Sequence, residues 1–120
     1  MSAPNLILTS NIVGNTVLYT ANTTLTQILS NASGSNQSIK LNTIIYSNGG
    51  ANNLPIYCDV FRNGVGYPIA NYVTLPGFST LVVQAKDTAI YLIEGDTLRA
   101  NVTSANNGPV NVIVSYEVIS

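Results

Sequence analysis

The chain has 120 residues, of which 46% are hydrophobic and 8% are charged, whereas soluble domains contain about 25% charged residues on average. Four basic and five acidic side chains give a formal net charge of −1, which is too little positive charge for a surface that binds nucleic acid. The sequence has no run of about 18 apolar residues, so no membrane-spanning helix is predicted. Its length predicts one domain.

The start of the chain and its one cysteine both favour synthesis in a cytoplasm. Residues Met1 to Pro4 have neither the basic region nor the apolar core of a signal peptide. Cys58 is the only cysteine, so an intrachain disulfide is impossible and folding in a reducing compartment is expected. We expect Cys58 to be buried as a small apolar side chain rather than exposed as a reactive thiol.

Residues 1–14 are predicted to form an N-terminal arm or edge strand ahead of a β-sandwich domain at 15–120. The apolar residues Leu6, Ile7 and Leu8 follow a stretch of small residues within this segment. One interpretation is a frayed terminus that leads into an edge strand. The other is an arm that contacts a partner, because a short apolar strand at a terminus can add to a neighbour's sheet.

Short segments rich in β-branched and aromatic residues follow one another, separated by Asn, Gly, Pro and Ser. This pattern predicts about nine or ten short antiparallel strands and no helix of normal length. The expected strands lie at 16–20, 24–29 (or one helical turn here), 39–47, 54–61, 67–71, 79–85, 89–93, 97–103 and 110–119. Turns at intervals of about 8–12 residues are typical of an all-β protein. We therefore predict a single-domain β-sandwich that resembles a jelly roll.

Two of these strands alternate between faces. Strict alternation in 39–47 predicts one face formed by Ile39, Leu41, Thr43 and Ile45. In 54–61, alternation directs Ile56, Cys58 and Val60 into the core and Asp59 outward.

The last strand has the clearest pattern. Its inner face is predicted to consist of Val110, Val112, Val114, Tyr116 and Val118. Ile113 and Ile119 interrupt the polar outer face. We expect these two isoleucines to be covered by a partner.

Two turns are defined by their glycines. Asn63-Gly64 predicts a hairpin with a type I′ turn, because this turn needs two residues with positive φ. Gly95-Asp96 predicts a second tight turn. Asp96 is expected to accept hydrogen bonds from backbone N–H groups there, rather than to act in catalysis or bind calcium.

The residue types leave little room for catalysis. There is no histidine, which removes the commonest general base and metal ligand. Glu94 and Asp96 are the only two carboxylates close in sequence, and they flank a turn rather than a cleft. We predict no catalytic, cofactor-binding or metal-binding residues, and no enzyme activity. The seven tyrosines leave a carbohydrate-binding surface as an alternative, since tyrosine rings can stack on sugars.

The C-terminal third of the chain resembles a known family. Tyr91 to Ala100 read Tyr-Leu-Ile-Glu-Gly-Asp-Thr-Leu-Arg-Ala, followed by Gly108-Pro109-Val110 and by Val-Ser-Tyr-Glu-Val-Ile at 114–119. These segments resemble small structural proteins of tailed phages, particularly cyanophages, in which a Gly-Asp turn precedes a β-rich end. The resemblance extends over roughly residues 15–120.

The resemblance implies a non-enzymatic virion structural protein. It favours a capsid decoration (cement) protein that binds and stabilises the lattice of the major capsid protein. A tail, neck or baseplate accessory protein is the first alternative, and a lectin-like carbohydrate-binding module is the second. The implied partners are the major capsid protein and further copies of the chain, with a trimer expected by analogy to other jelly rolls. No cofactor, nucleic acid or membrane partner is implied, and the expected location is the virion surface after synthesis in the host cytoplasm.

Overall fold

The structure is a computed structural model that describes residues 11–103 and 108–120. The described chain forms nine strands and one short 3-10 turn. The strands are β1 (Ile12–Ala21), β2 (Thr26–Ser30), β3 (Ser38–Asn48), β4 (Leu54–Arg62), β5 (Val65–Leu75), β6 (Thr80–Gln84), β7 (Ile90–Leu92), β8 (Thr97–Val102) and β9 (Val110–Ile119). Leu6, Ile7 and Leu8 lie outside the described residues. Within the described ranges no helix is long and apolar enough to cross a membrane.

The strands form two antiparallel sheets. Sheet A has the order β1-β9-β3-β6, with β7 also paired to β3, and sheet B has the order β2-β8-β4-β5. The pairing is nested: β1 pairs with β9, β2 with β8, β3 with β6 and β7, and β4 with β5. This is one long hairpin rolled into two sheets, which is the jelly-roll arrangement. The predicted all-β fold class is confirmed.

The core lies between the two sheets and is built from the inward side chains of central strands. The completely buried apolar residues include Leu41, Ile44, Tyr46, Ile56, Cys58, Leu98, Val112 and Val114. Each fully buried aliphatic side chain contributes about 1.5–3 kcal/mol relative to an exposed one. In β9 the five residues predicted to face inward all belong to this core or pack against it.

A β-bulge in β3 overturns the predicted alternation of this strand. The register against β9 shifts between Leu41 and Thr43. Ile39 and Leu41 face the core as expected, but after the bulge the core receives Ile44 and Tyr46. Thr43 and Ile45 were expected on the inner face and instead belong to the outer one, because one extra residue reverses the direction of every later side chain.

The Gln84 side chain connects the end of β6 to β3 and to the turn that follows. A 3-10 turn at Lys86–Thr88 separates β6 from β7. The buried Gln84 side chain donates from Nε2 to the carbonyl oxygens of Leu41 at 2.8 Å and Thr88 at 2.9 Å. These bonds satisfy backbone groups that the interrupted strand would otherwise leave unpaired.

The β4–β5 hairpin has the predicted turn. Asn63 and Gly64 have φ values of +52° and +78°, the two positive values that a type I′ turn requires. Strand β1 begins at Ile12 and pairs with β9 over ten residues without a bulge. Residues 12–14, assigned to the arm or edge strand, are therefore part of the edge strand of sheet A.

Candidate interaction surface

Four aliphatic side chains form a row across the outer face of sheet A. Leu18 on β1 pairs with Ile113 on β9, Ile113 pairs with Ile45 on β3, and Ile45 pairs with Val82 on β6. The two end residues are strongly exposed, Leu18 at 76% and Val82 at 56%. Three strand spacings of about 4.8 Å make this aliphatic row roughly 15 Å long.

The rows on either side are polar but uncharged. One consists of Thr20, Asn111, Ser47 and Thr80, and the other of Thr16, Ser115 and Thr43. The Thr20 hydroxyl donates to Asn111 Oδ1 at 2.9 Å. A shallow depression of about 250 Å³ opens between β1 and β9, lined in part by Leu18, Thr20, Asn111 and Ile113.

Two charges on this face neutralise each other. Lys40 and Glu117 are cross-strand partners on β3 and β9, and Lys40 Nζ lies 3.9 Å from Glu117 Oε1. They lie two rows beyond the aliphatic row, on the far side of Thr43 and Ser115. The centre of the face is therefore neutral and nearly free of long, entropically costly side chains.

The expected partner-contact residues have three different outcomes. Ile113 is half-buried and lies within the aliphatic row. The expectation that Ile119 awaits a partner is wrong: it is 4% exposed, so the chain itself already covers it. Ile119 lies on the central strand β9 and is flanked by Ile12 and Ser38. Leu6, Ile7 and Leu8 fall outside the described residues.

The carboxylate of Asp96 holds a turn together. It is buried, and it accepts hydrogen bonds from Arg62 Nε at 2.8 Å and Nη2 at 2.6 Å. Oδ2 also accepts from the backbone N–H of Ile93 at 3.0 Å. Gly95 has a φ of +90° in the same turn. The neighbouring Glu94 instead accepts from the N–H of Asn36 at 2.5 Å, so the two carboxylates do not converge on one cleft.

A second buried ion pair lies on sheet B. Asp59, completely buried, accepts from Arg99 Nε at 2.9 Å and Nη2 at 2.5 Å, and from the Tyr57 hydroxyl at 2.8 Å. The Arg99 guanidinium also lies 4.1 Å from the centre of the Phe61 ring. The alternation of β4 predicted that Asp59 faces outward and indicated no partner for it, whereas the structure buries its side chain completely. Forty residues separate the pair, and only the register of β4 on β8 shows that Asp59 faces Arg99.

A cleft opens between the β4–β5 hairpin and the β7 edge of sheet A. It has a volume of about 420 Å³ and is lined by Val60, Arg62, Tyr67, Ile90 and Tyr91. Tyr67 and Tyr91 are 56% and 40% exposed. The hydrogen bond from Arg62 to Asp96 raises the pKa of the guanidinium above its ordinary value. The arginine is thus a fixed cation with a neutralising partner behind it.

Cys58 is buried in the core, where burial raises the pKa of its thiol to about 11. The described residues contain no group of three or more His, Cys, Asp or Glu side chains placed to hold a metal ion.

Comparison with known proteins gives a fold relationship only. No protein-family model matches the chain, and no curated protein matches it. Among solved structures, the chain is similar to a protein of Bacillus endospore appendages, which form "a novel family of disulfide-linked pili". The TM-score is 0.51 and the sequence identity is 13%, over 99% of this chain and 95% of that one. This similarity supports the two-sheet β fold over the full domain.

Proposed function

We propose that the protein is a non-enzymatic structural subunit of a virion, most specifically a capsid decoration protein that binds the assembled major capsid protein. The single observation that carries this proposal is the neutral outer face of sheet A, in which the aliphatic row is bordered by short Thr, Ser and Asn side chains. The major capsid protein is proposed as the partner because residues 91–119 resemble phage structural proteins.

The chemistry of this face suits attachment to a protein lattice. Burial of its aliphatic centre against a partner is favourable by about 25 cal/mol per Å² of apolar area removed from water. Its polar rows can hydrogen-bond to a partner without the desolvation cost of charged groups. One such contact is weak, but a symmetric shell repeats it many times, and linked copies bind with avidity.

Three of the acidic groups support a structural role. Asp59 and Asp96 each accept two hydrogen bonds from one arginine, and Glu94 accepts one from the backbone. These contacts stabilise turns and strand pairs. A catalytic pair would need its carboxylates to face a common substrate.

The test is an add-back experiment. Purified protein is mixed with isolated mature heads, and separately with tails, and each mixture is pelleted. Saturable binding to heads at a fixed ratio to the major capsid protein is the expected result. Binding to tails alone would favour the tail, neck or baseplate alternative, and binding to neither would contradict the virion proposal.

A matched pair of variants tests the face itself. Val82→Asp places a charge in the aliphatic row and should weaken head binding by about tenfold or more, because an unpaired charge is costly to bury. Val65→Asp makes the same change at a comparably exposed valine, 48% against 56%, in the β4–β5 hairpin. It should bind like the parent. Equal behaviour of the two variants would exclude the outer face of sheet A as the contact.

A subunit of a self-assembling filament is the second candidate. It is favoured by the fold shared with the endospore pilus protein over nearly the whole of both chains. No described strand other than β9 pairs with β1, and a strand from a second copy of the chain would add at this edge of sheet A. Copies in such a filament would not be linked by disulfides through Cys58, because this thiol is buried. Electron microscopy of concentrated protein without phage heads separates the two candidates, because only a filament subunit should form polymers.

A further inference from the structure

A second surface, distinct from the aliphatic row of sheet A, has the features of a small-molecule site. The cleft between the β4–β5 hairpin and β7 has a volume of about 420 Å³, within the range of about 300–1,000 Å³ for ligand pockets. Its apolar part is formed by Val60 and Ile90, and Tyr67 and Tyr91 contribute exposed rings. Such rings offer flat apolar faces together with hydroxyl groups.

Arg62 gives this cleft a fixed set of hydrogen-bond donors. Two of its five N–H groups are held by Asp96, through Nε and Nη2. The other three have no partner among the described residues, and the side chain is 41% exposed. Since Asp96 fixes the guanidinium plane, a ligand that accepts from Arg62 does not have to immobilise a flexible side chain.

The electrostatics of the cleft favour a neutral ligand. The carboxylate of Asp96 lies directly behind Arg62 and compensates its charge. Among the described residues, no lysine or second arginine lines the cleft. Lys40, the cross-strand partner of Tyr91, lies 3.9 Å from Glu117. An anionic ligand would therefore meet only neutralised cations. A neutral molecule with several hydroxyl groups and an apolar C–H face matches both the donors and the tyrosine rings.

We propose that the cleft formed by Val60, Arg62, Tyr67, Ile90 and Tyr91 binds a neutral saccharide. The C–H face of one sugar ring packs on a tyrosine, and sugar hydroxyls accept hydrogen bonds from the Arg62 N–H groups that Asp96 does not hold. This activity does not use the aliphatic row, because Tyr91 pairs with Lys40 on β3 and so lies two rows beyond it.

The test is a titration followed by nuclear magnetic resonance. Glucose, galactose, mannose and N-acetylglucosamine are each added to the ¹⁵N-labelled full chain at millimolar concentrations. At least one should give saturable shifts of backbone amides in β7 and in the β4–β5 hairpin. No saturable shift with any of the four sugars, or shifts confined to other strands, would overturn the proposal. Tighter binding of glucuronic acid than of glucose would overturn its neutral-ligand part.

Three tyrosine variants make the test specific. Tyr67→Ala and Tyr91→Ala should each lower affinity by about two- to tenfold, as expected for loss of one ring contact. Tyr72→Ala removes an exposed tyrosine on sheet B whose ring centre lies 5.3 Å from that of Tyr57, with the two rings tilted by 36°, and it should not change affinity. Each variant's spectrum reports whether the fold is kept. Equal loss in all three variants would show that the sugar does not occupy the cleft.

Discussion

Arg99 on β8 binds the buried carboxylate of Asp59 on β4 through two parallel hydrogen bonds, Nε to Oδ1 at 2.9 Å and Nη2 to Oδ2 at 2.5 Å. The pair lies against Gly66 of the neighbouring strand β5. A methyl group at Gly66 would meet Asp59 Oδ2 and lie 2.7 Å from Arg99 Nη2. The absence of a side chain at Gly66 thus leaves room for the ion pair.

Gly66→Ala should therefore destabilise the protein. The added methyl must displace one member of a buried, bidentate pair, and we expect a loss of about 1–3 kcal/mol in the free energy of unfolding. Urea denaturation followed by circular dichroism measures it. Gly14→Ala is the control: that methyl meets nothing within 4 Å, so stability should stay equal or rise slightly. Equal losses in both variants would contradict the packing argument.

Replacement of the two neighbouring carboxylates should have unequal effects. Asp96→Asn removes the charge that binds Arg62 and weakens the acceptor for the Ile93 N–H, within a buried site. We expect the free energy of unfolding to fall by about 2–4 kcal/mol, as it does when other buried ion pairs lose one partner. Glu94→Gln should cost about 0.5 kcal/mol or less, because its amide oxygen can still accept from Asn36. Equal unfolding midpoints in urea for the two variants would argue against a structural role for Asp96.

Stability should fall in alkaline solution. Burial raises the pKa of Cys58 to about 11 from 9.0, and burial also raises that of Tyr46 above its ordinary value of 10.0. The unfolded chain loses these protons first, so the folded state is fully stable below about pH 9 and loses stability as the pH rises toward 11 and beyond. Urea unfolding between pH 8 and pH 11 should show this decline, reversibly. A constant free energy of unfolding over that range would contradict it.

The Tyr46→Phe variant separates two effects of the buried Tyr46 hydroxyl, its hydrogen bond and its ionisation in the unfolded chain. The hydroxyl donates to the backbone carbonyl of Tyr57 at 2.8 Å, so the free energy of unfolding of the variant should be lower by about 1 kcal/mol at pH 8. Phenylalanine does not titrate, and the difference from the parent should shrink as the pH rises above 10. A difference that stays constant with pH would mean that ionisation of Tyr46 in the unfolded chain does not contribute.

Cys58 should be inert in the folded protein. Its side chain is completely buried and the raised pKa of about 11 keeps it a thiol at neutral pH, whereas the thiolate is the reactive form. With Ellman's reagent at pH 8 we expect no rapid reaction, and one equivalent released after guanidinium is added. Rapid reaction without denaturant would show that β4 opens readily.

Local patterns in the sequence determined the fold class and much of the core. The alternation of β9 correctly predicted its inner face, because inward and outward positions follow a period of two in any regular strand. Asn63-Gly64 predicted the β4–β5 turn, since few residues other than Asn and Gly adopt positive φ at low cost. Both features depend on residues close together in the chain.

Relationships between distant strands were decided only by the tertiary structure. Nothing in 39–47 indicates the bulge after Leu41 that turns Ile45 outward into the aliphatic row beside Ile113 and Val82. The pairing of Asp59 with Arg99, the burial of Ile119 and the cleft between Tyr67 and Tyr91 likewise depend on which strands lie side by side. Register and bulges arise from packing over the whole sandwich, so an alternating pattern predicts a strand's two faces but not what lies against them.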